Sequence, residues 1–300
     1  MKTITLEQAK NTRFKNLSVA LGTFDGLHIG HMKLIESLLS CGGESAVFTF
    51  GNLPSDLFVA DRKPMMLFTP EEKSAAFAKT GVGYLCATPF DRGFARLGKA
   101  EFESLLVECF SPVNIIAGYN YTYGRHARGN ADTLEEFGER RGIKVRIIPP
   151  VVLDGEPVSS TRIRECLEAG SVEKANMLLG YEYALTGTVE KGEGLGRLLG
   201  FPTANLRVPA EKVIPLRGVY EVESKVDGKS YKGLCNIGTR PTVSAGIWQA
   251  IEVHLLSLSG DLYGRKVTVL FKKRLRDEMK FSGAGKLVEQ IKKDIERIRP

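Results

Sequence analysis

The sequence predicts two domains of different fold class, a parallel α/β sheet domain followed by an antiparallel β-barrel. In the first half, short apolar runs alternate with amphipathic stretches. After about residue 183, strand-like runs follow one another without helices between them. The chain of 300 residues is also longer than a single hydrophobic core commonly organises, since such cores stop growing beyond roughly 250 residues. We therefore expect one domain at 1–183 and a second at 184–300.

Five apolar runs in the first half are typical of buried strands. They lie at 18–21, 46–50, 84–87, 113–117 and 145–148. Four amphipathic stretches favour helices near 31–40, 70–80, 99–110 and 131–142. Thr69-Pro70-Glu71-Glu72 is a helix start signal, because threonine caps a helix and proline suits its first turn. This alternation predicts a parallel sheet covered on both faces, and such sheets bind ligands at the carboxyl ends of their strands.

The second half has the pattern of an all-β domain. Its strand-like runs lie at 184–189, 218–222, 231–237, 249–255 and 266–271. Asp227-Gly228 is a strong hairpin turn signal between two of them. Several strands without intervening helices predict a closed antiparallel barrel. An amphipathic helix at about 285–298 follows, and a helical pair around 162–179 is expected to link the two halves.

Composition and charge exclude several classes of protein. Hydrophobic residues make up 43% and charged residues 26% of the chain, which is ordinary for a globular protein and excludes a wholly disordered or collagen-like chain. No apolar stretch approaches the roughly 18 residues of a membrane span and no secretory signal is visible, so we expect a cytoplasmic protein without a membrane partner. Five cysteines without a C-x-x-C pair argue against a disulfide framework or zinc knuckle. The net charge of +7 favours anionic partners.

The first candidate site is the glycine-rich loop Leu21-Gly-Thr-Phe-Asp-Gly-Leu-His-Ile-Gly-His31. It connects the first strand to the first helix, so backbone N–H groups and the helix N-terminus can face an anion there. Its spacing is neither G-x-G-x-x-G nor that of a P-loop, which disfavours both of those nucleotide sites. His28 and His31 lie at the mouth of this loop. No third metal ligand is close in sequence, so the pair favours stabilisation of negative charge on a phosphate over metal binding.

The second candidate site lies between Gly187 and Asn205. The segment 187–197 is dense in glycine and ends in a cation, which fits a flexible loop over phosphates. Thr203 and Asn205 offer neutral oxygens two residues apart, a donor type that suits Mg²⁺. Glu252 alternates with apolar neighbours in a strand-like run. An isolated strand carboxylate of this kind is usually solvated, so the local pattern alone does not assign it a role.

The whole set of motifs resembles the bifunctional riboflavin kinase/FMN adenylyltransferase family, also called FAD synthetase. The segment 23–31 resembles the nucleotidylyltransferase signature, and 158–164, with Ser159-Ser160-Thr161 before two arginines, resembles its second element, although the three hydroxyl residues by themselves could be a helix N-cap. Gly200-Phe-Pro-Thr-Ala-Asn205 resembles the riboflavin kinase hallmark. The resemblance implies a Rossmann-like nucleotidylyltransferase domain followed by a riboflavin kinase barrel.

The same resemblance implies the reactions. We expect the barrel to phosphorylate riboflavin to FMN, and the first domain to adenylylate FMN to FAD with release of pyrophosphate. ATP is the co-substrate of both steps and Mg²⁺ is the expected cofactor. The partners are therefore small molecules, riboflavin, FMN and ATP, and nucleic acid is not expected.

Family roles map onto individual positions of this chain. In the adenylyltransferase site the resemblance implies that His28 and His31 are catalytic. Contacts to ATP and its phosphates are implied for Gly22, Thr23, Phe24, Asp25, Gly26, Ser159, Ser160, Thr161 and Arg164. Flavin contacts there are implied for Asn120, Tyr123, Arg125 and Arg128. In the kinase site Glu252 is the implied general base, and Thr203 and Asn205 hold the metal. ATP contacts there are implied for Gly192, Gly194, Gly196, Arg197, Pro202 and Asn236. Flavin contacts are implied for Arg276 and Phe281.

Three departures from the family pattern leave an alternative open. The family usually reads Thr-Phe-x-Pro-His-Pro after its second strand, whereas this chain reads Thr49-Phe-Gly-Asn-Leu-Pro54 and lacks the histidine. Ser257 and Val243 replace a common aspartate and a common aromatic residue. The chain could therefore retain only one activity, the kinase alone if the altered loop 51–56 disables adenylylation. A flavin-sensing regulator that binds nucleic acid is disfavoured, because the cations are dispersed along the sequence.

Overall fold

The protein consists of two compact units, residues 1–160 and residues 161–300. The computed structural model describes residues 1–58, 65–192, 194–241, 247–258 and 260–298. The domain boundary expected between residues 183 and 184 stays a prediction, because compact packing alone does not define where a functional domain ends.

The first unit alternates strands and helices, as the hydrophobic pattern predicts. Its strands are β1 (Lys2–Ile4), β2 (Ser18–Leu21), β3 (Ser45–Phe50), β4 (Tyr84–Thr88), β5 (Asn114–Gly118), β6 (Lys144–Ile148), β7 (Val152–Leu153) and β8 (Glu156–Pro157). Its helices are α1 (Leu6–Lys10), α2 (Ile29–Ser40), α3 (Pro70–Phe77), α4 (Lys99–Phe110) and α5 (Ala131–Arg141). A further helix, α6 (Ser160–Glu168), begins at the last residue of this unit.

A parallel sheet with the strand order β1-β4-β3-β2-β5-β6 forms the middle layer of the first unit. Strand β2 is buried on both faces, because Val19 and Leu21 pack into one hydrophobic cluster and Ala20 packs into the other. Helices cover both faces of such a sheet, so its strands are continuous apolar runs rather than alternating ones. This arrangement confirms the predicted α/β class.

The strand order creates a crevice at the carboxyl ends of β2 and β5. After β2 the chain continues to β3 on one side, and later it returns to place β5 on the other side of β2. Open α/β sheets bind ligands where the strand order reverses in this way. The loops that follow β2 and β5, residues 22–28 and 119–130, therefore flank the expected ligand position.

The second unit is a closed antiparallel barrel with helices outside it. It contains α7 (Val172–Leu179), β9 (Ala184–Glu190), α8 (Leu195–Leu198), β10 (Ala204–Arg207), β11 (Gly218–Val226), β12 (Lys229–Pro241), β13 (Ile247–Leu255), β14 (Lys266–Arg276) and α9 (Ala284–Ile298). The barrel order is β10-β13-β12-β11-β14-β9, with antiparallel pairing throughout. The predicted barrel is confirmed.

Local sequence signals explain how this barrel closes. Asp227 and Gly228 both have positive φ, 47° and 79°, which is the backbone of the tight turn that joins β11 to β12. Strand β9 pairs with β14 and β10, and β10 pairs with β9 and β13, so the sheet closes on itself. In the part of the chain that the structure describes, we find no helix with the length and apolar character needed to cross a membrane.

Candidate active sites

The loop between β2 and α2 has the backbone of an anion-binding turn. Phe24, Gly26 and Leu27 have φ values of 47°, 86° and 39°. Residues that alternate between right- and left-handed backbone turn successive N–H groups toward one side and form a concavity for anions. The ring of Phe24 is buried, packing 5.2 Å from the ring of His31 and 5.6 Å from that of Phe77. Phe24 therefore supports the loop with its side chain.

His28 and His31 lie together at the N-terminus of α2. Their rings stack with centroids 3.6 Å apart and an angle of 18° between the planes. His28 caps the helix, because its Nδ1 accepts a hydrogen bond of 3.2 Å from the backbone N–H of His31. A neutral His28 with this bond carries its proton on Nε2, which leaves that nitrogen as a donor. The structure thus places the two predicted catalytic residues side by side at a helix N-terminus.

Burial makes His31 a neutral residue at physiological pH. Its pKa lies well below 6.5, first because burial disfavours the charged ring and then because His28 and Lys73 repel a positive charge there. Nδ1 of His31 is buried and has no hydrogen-bond partner among the described residues. A lone pair without a partner costs less than an N–H without one, so we place the proton of neutral His31 on Nε2. Such a ring can donate one hydrogen bond to a phosphate oxygen.

Asp25, predicted to contact ATP, anchors the loop. Its Oδ2 accepts the backbone N–H of Leu67 and its Oδ1 accepts that of Phe68, each at 3.0 Å. The Asp25 carbonyl also accepts the hydroxyl of Ser160 at 2.8 Å. The side chain of Asp25 is 1% exposed, so these bonds fix the loop against two other segments of the first unit.

The turn with Ser159 and Ser160, predicted to contact ATP and its phosphates, lies at the start of α6. Ser159 and Ser160 are half-buried residues of the first unit, and the contact of Ser160 with Asp25 ties this turn to the histidine loop. Thr161 and Arg164 follow in the first turns of α6, as an exposed and a half-buried residue that belong to the second unit. Their contacts with ATP stay a prediction.

The segment after β5, predicted to hold flavin, divides into exposed and buried residues. Asn120, Arg125 and Arg128 are exposed in the segment that follows β5, and their contacts with flavin stay a prediction. Tyr123 is 5% exposed, and its hydroxyl donates to Glu103 at 2.8 Å. The Tyr123 ring thus packs in the core of the first unit, where it supports the loop that follows β5.

The altered loop 51–56 is tied to the loop that follows β4. Nδ2 of Asn52 donates to the Phe90 carbonyl at 3.0 Å, and the Phe90 N–H donates back to Oδ1 of Asn52 at 2.7 Å. Leu53, which stands where the family has histidine, is 6% exposed. The departure therefore replaces a polar loop residue by a buried apolar one and fixes the loop through Asn52.

A cluster of phenylalanine rings beside this loop was not predicted from the sequence. The Phe50 ring lies 5.0 Å from the Phe90 ring and 5.1 Å from the Phe94 ring, and the Phe58 ring lies 6.3 Å from that of Phe90. Phe58 is 70% exposed. Phe50 and Phe58 are far in sequence from Phe90 and Phe94, and a strand-pairing prediction would have been needed to bring the two pairs together. They form an apolar surface at the carboxyl ends of β3 and β4.

In the second unit, Glu252 lies between two asparagines of neighbouring strands. It pairs with Asn205 of β10 on one side and with Asn236 of β12 on the other. Cross-strand partners project from the same face of a sheet. Ile251 and Val253 are buried in the barrel core, so Glu252 projects to the outer face, where it is half-buried. The strand register thus unites three residues predicted for the kinase site.

The glycine-rich loop approaches the predicted metal ligands closely. A Cβ added at Gly192 would collide with the Asn205 amide, and one at Gly196 would lie 3.2 Å from Oγ1 of Thr203. Side chains at these two positions would fill the space around the oxygens. Two neutral oxygens beside a carboxylate are the donors that Mg²⁺ takes when it also keeps water and phosphate ligands. The oxygens of Thr203 and Asn205 therefore fit a magnesium site, with the carboxylate of Glu252 beside Asn205.

The remaining kinase residues are placed as follows. Gly194 and Arg197 are exposed, and the Pro202 carbonyl lies 2.8 Å from Nδ1 of His254, a contact that fixes the segment before β10. Val243 lies outside the described residues. Ser257 has a φ of 62° at the end of β13.

The two residues predicted to bind flavin in the second unit lie near each other. The guanidinium of Arg276 is 5.9 Å from the centre of the Phe281 ring. Nε and Nη2 of Arg276 also lie 2.9 and 2.8 Å from Oδ2 of Asp294, an α9 carboxylate that is 1% exposed. Asp294 was not predicted, and it holds the position of Arg276 beside Phe281.

Two protein-family models match the chain, and each matches the part that contains one of the two candidate sites. Residues 10–162 match the family model described as FAD synthetase. Residues 179–300 match the family model described as riboflavin kinase. Each candidate site thus has its main residues within one of the two matched regions.

Sequence relatives and a solved structure extend this similarity over the whole chain. A bifunctional riboflavin kinase/FMN adenylyltransferase of Listeria monocytogenes is 34% identical over 284 residues, 93% of this chain and 90% of the relative. The protein of the same name from Escherichia coli K12 is 37% identical over 92% of this chain and 90% of the relative. A crystal structure from Streptococcus pneumoniae, titled a macrolide-efflux protein, is similar over 100% of both chains, with a TM-score of 0.90 and 30% identity.

Proposed function

Because the chain belongs to the bifunctional riboflavin kinase/FMN adenylyltransferase family, we propose that loop 22–31 carries adenylyl transfer and that the strands around Glu252 carry phosphoryl transfer. The enzyme is a transferase that converts riboflavin to FMN and FMN to FAD, with ATP as co-substrate. The observation that supports this division best is the separate clustering of the two residue sets, the stacked histidines in one unit and the triad of Asn205, Glu252 and Asn236 in the other.

Adenylyl transfer requires stabilisation of charge more than proton removal. The FMN phosphate is largely deprotonated near neutral pH, so one of its oxygens can attack the α-phosphorus of ATP directly. The bond to pyrophosphate breaks, and negative charge increases on the α-phosphate oxygens. Nε2–H groups of His28 and neutral His31, together with the N-terminus of α2, are placed to donate to those oxygens. The apolar rings around Phe50, Phe58 and Phe90 offer a surface for the flavin ring.

Riboflavin phosphorylation requires a base for the acceptor hydroxyl. The terminal hydroxyl of the ribityl chain attacks the γ-phosphorus of ATP, and the carboxylate of Glu252 takes its proton as ADP leaves. Asn205 and Asn236 flank that carboxylate in the strand register and orient it. Gly192 and Gly196 lie close to Asn205 and Thr203, so we place the ATP phosphates beside them, with exposed Arg197 available for their charge.

Magnesium is the expected ion of the kinase site. Thr203 and Asn205 would hold it, and when bound it neutralises charge on the nucleotide phosphates. The close approach of Gly192 and Gly196 to these oxygens leaves room for an ion and its phosphate ligands where larger side chains would not.

A cytoplasmic location is part of the proposal. The five cysteines, all in the described part of the chain, form no disulfide, and four of them are buried. Unpaired cysteines persist in reducing compartments. Fractionation of cells that make the native protein, followed by immunodetection, tests this location.

The alternative of a single activity rests on the altered loop 51–56. The match of the FAD synthetase model spans this loop, which favours two activities over the kinase alone. Purified protein supplied with riboflavin, ATP and Mg²⁺ should form FMN and then FAD. Chromatography of the reaction mixture measures both products. Supplying FMN directly separates the alternatives, since formation of FMN from riboflavin without formation of FAD from FMN would leave only the kinase.

A further inference from the structure

Lys73 is a buried cation outside the motifs that carry the assignment of the site. It lies in the middle of α3 and is 1% exposed, a rare position for lysine because a charge is costly to remove from water. Its Nζ donates to the carbonyl of Thr23 at 2.8 Å and to that of Phe50 at 2.7 Å. The Thr23 carbonyl lies in the loop that follows β2, and the Phe50 carbonyl lies at the end of β3. Both are beside the predicted phosphate site.

The bonds of Lys73 fix one peptide group of the histidine loop. The Thr23 carbonyl also accepts the hydroxyl of Thr49 at 2.8 Å, so two donors hold it on the same side. Carbonyl and N–H point in opposite directions in a trans peptide, and therefore the N–H of Phe24 points away from Lys73. That N–H belongs to the first of the three positive-φ residues, Phe24, Gly26 and Leu27, in the loop that has the backbone of an anion-binding turn. Lys73 thus holds the concavity from the side opposite to its N–H groups.

Two charged or titratable groups face Lys73 from the elements packed around it. Burial lowers the pKa of Lys73 to about 8, and the negative charge of Asp25 opposes this lowering. The positive charge of Lys73 in turn contributes to the low pKa of His31 on α2, after burial and the neighbouring His28. At neutral pH Lys73 is therefore mostly charged, and its positive charge helps to keep the His31 ring uncharged.

We propose that Lys73 is a positioning residue for adenylyl transfer, which holds loop 22–28 through the carbonyls of Thr23 and Phe50. This inference rests on the proposed assignment of adenylyl transfer to the loop with His28 and His31. Lys73 is enclosed by α3 and the ends of two strands, so it acts on the reaction through the loop rather than by contact with substrate.

The test compares K73M with the parent in the full-length enzyme, with K79M as a matched control. Methionine keeps the apolar stem but removes the charge and the donors, whereas Lys79 is an exposed lysine just beyond α3. We expect K73M to lower kcat for FAD formation from FMN by about tenfold to 100-fold, the range that small displacements in an active site produce. Riboflavin phosphorylation by K73M, and both activities of K79M, should stay within about twofold of the parent.

A spectroscopic measurement tests whether the charge of Lys73 acts on the histidine loop. The chain has four histidines, so their ring signals can be followed by NMR as the pH is changed. In K73M the pKa of His31 should rise, because a nearby positive charge has been removed. An unchanged titration of His31 in a folded K73M variant would contradict the proposal.

A second variant keeps the proposal testable if K73M does not fold. T49V removes the other donor to the Thr23 carbonyl and keeps the shape of the side chain. We expect it to lower the same kcat severalfold and to leave riboflavin phosphorylation unchanged. If folded K73M forms FAD at a rate within twofold of the parent, the proposed role of Lys73 is overturned. If K73M does not fold, FAD formation by T49V within twofold of the parent overturns it instead. Unaltered FAD formation by H31A would instead overturn the proposed site itself.

Discussion

Asn205 and Glu252 are direct cross-strand partners where β10 pairs with β13. The pairing brings a neutral oxygen donor and a carboxylate to the same outer face of the barrel, although they are 47 positions apart along the chain. Asn236 flanks Glu252 from the opposite strand. The proposed metal ligand and the proposed base are thereby held by strand pairing, which is more rigid than a loop.

Replacing Thr203 tests the proposed magnesium site. T203V keeps the side-chain shape and removes the hydroxyl oxygen. We expect the Mg²⁺ concentration that gives half-maximal FMN formation to rise several-fold, because one of the proposed ligands is lost. FMN formation is measured against Mg²⁺ concentration, and FAD formation from FMN by the same variant is the internal control. An unchanged magnesium dependence would exclude Thr203 as a ligand.

Replacing Asp294 tests the ion pair that holds Arg276. D294A leaves the guanidinium without its buried partner, and breaking such a pair costs about 3–5 kcal/mol in the free energy of unfolding. D277A is the matched control, since the pair of Arg274 with Asp277 has a carboxylate that is 82% exposed and should contribute less than about 1 kcal/mol. Urea unfolding measures the loss in the free energy of unfolding for each variant. Equal effects of the two variants would contradict the structural role of Asp294.

Replacing Asn52 tests whether the altered loop is a working part of the flavin site. N52A removes both hydrogen bonds to the Phe90 backbone, and the aromatic surface beside the sheet should become less ordered. We expect the KM for FMN in FAD formation to rise about threefold to tenfold, consistent with a loss of about 1 kcal/mol. Riboflavin phosphorylation should not change. An unaltered KM for FMN would show that this loop does not shape the flavin site.

His31 should make the protein less stable in mild acid. Its pKa is lowered in the folded state, so between that value and 6.5 the unfolded chain binds a proton that the folded chain does not. The free energy of unfolding therefore falls as the pH falls below about 6.5. H31Q removes this proton uptake and should lose less stability between about pH 7 and pH 5 than the parent. Urea unfolding across this range, with exposed His126 replaced by Gln as control, measures the difference. Equal pH slopes for H31Q and the parent would contradict it.

The fold class could be predicted because its signals are periodic and repeated. Long apolar runs such as 46–50 and 266–271 coincide with β3 and β14, where burial on one or both faces selects β-branched and aromatic residues. Strands β1 and β10 were not predicted. They have three and four residues, too few for a periodic pattern, and tertiary pairing determines them.

The site could be predicted only where its residues are close in sequence. Loop 22–31 and the segment around 203–205 were predicted as sites because each concentrates unusual residues in a short motif. Lys73 was missed because its bond to Thr23 spans 50 positions, and Asn52 because its bonds to Phe90 span 38. Tyr123 matches a family position, yet its burial beside Glu103 depends on packing that a motif does not record.

The separation of the two reactions is tested most directly by giving each of two variants, E252Q and H31A, either riboflavin or FMN as substrate. Each purified variant receives ATP and Mg²⁺ with either riboflavin or FMN, and the products are separated by chromatography. We predict that E252Q forms FAD from FMN but no FMN from riboflavin, whereas H31A forms FMN from riboflavin but no FAD from either substrate. If either folded variant loses both reactions, or retains both, the assignment of one reaction to each unit is wrong.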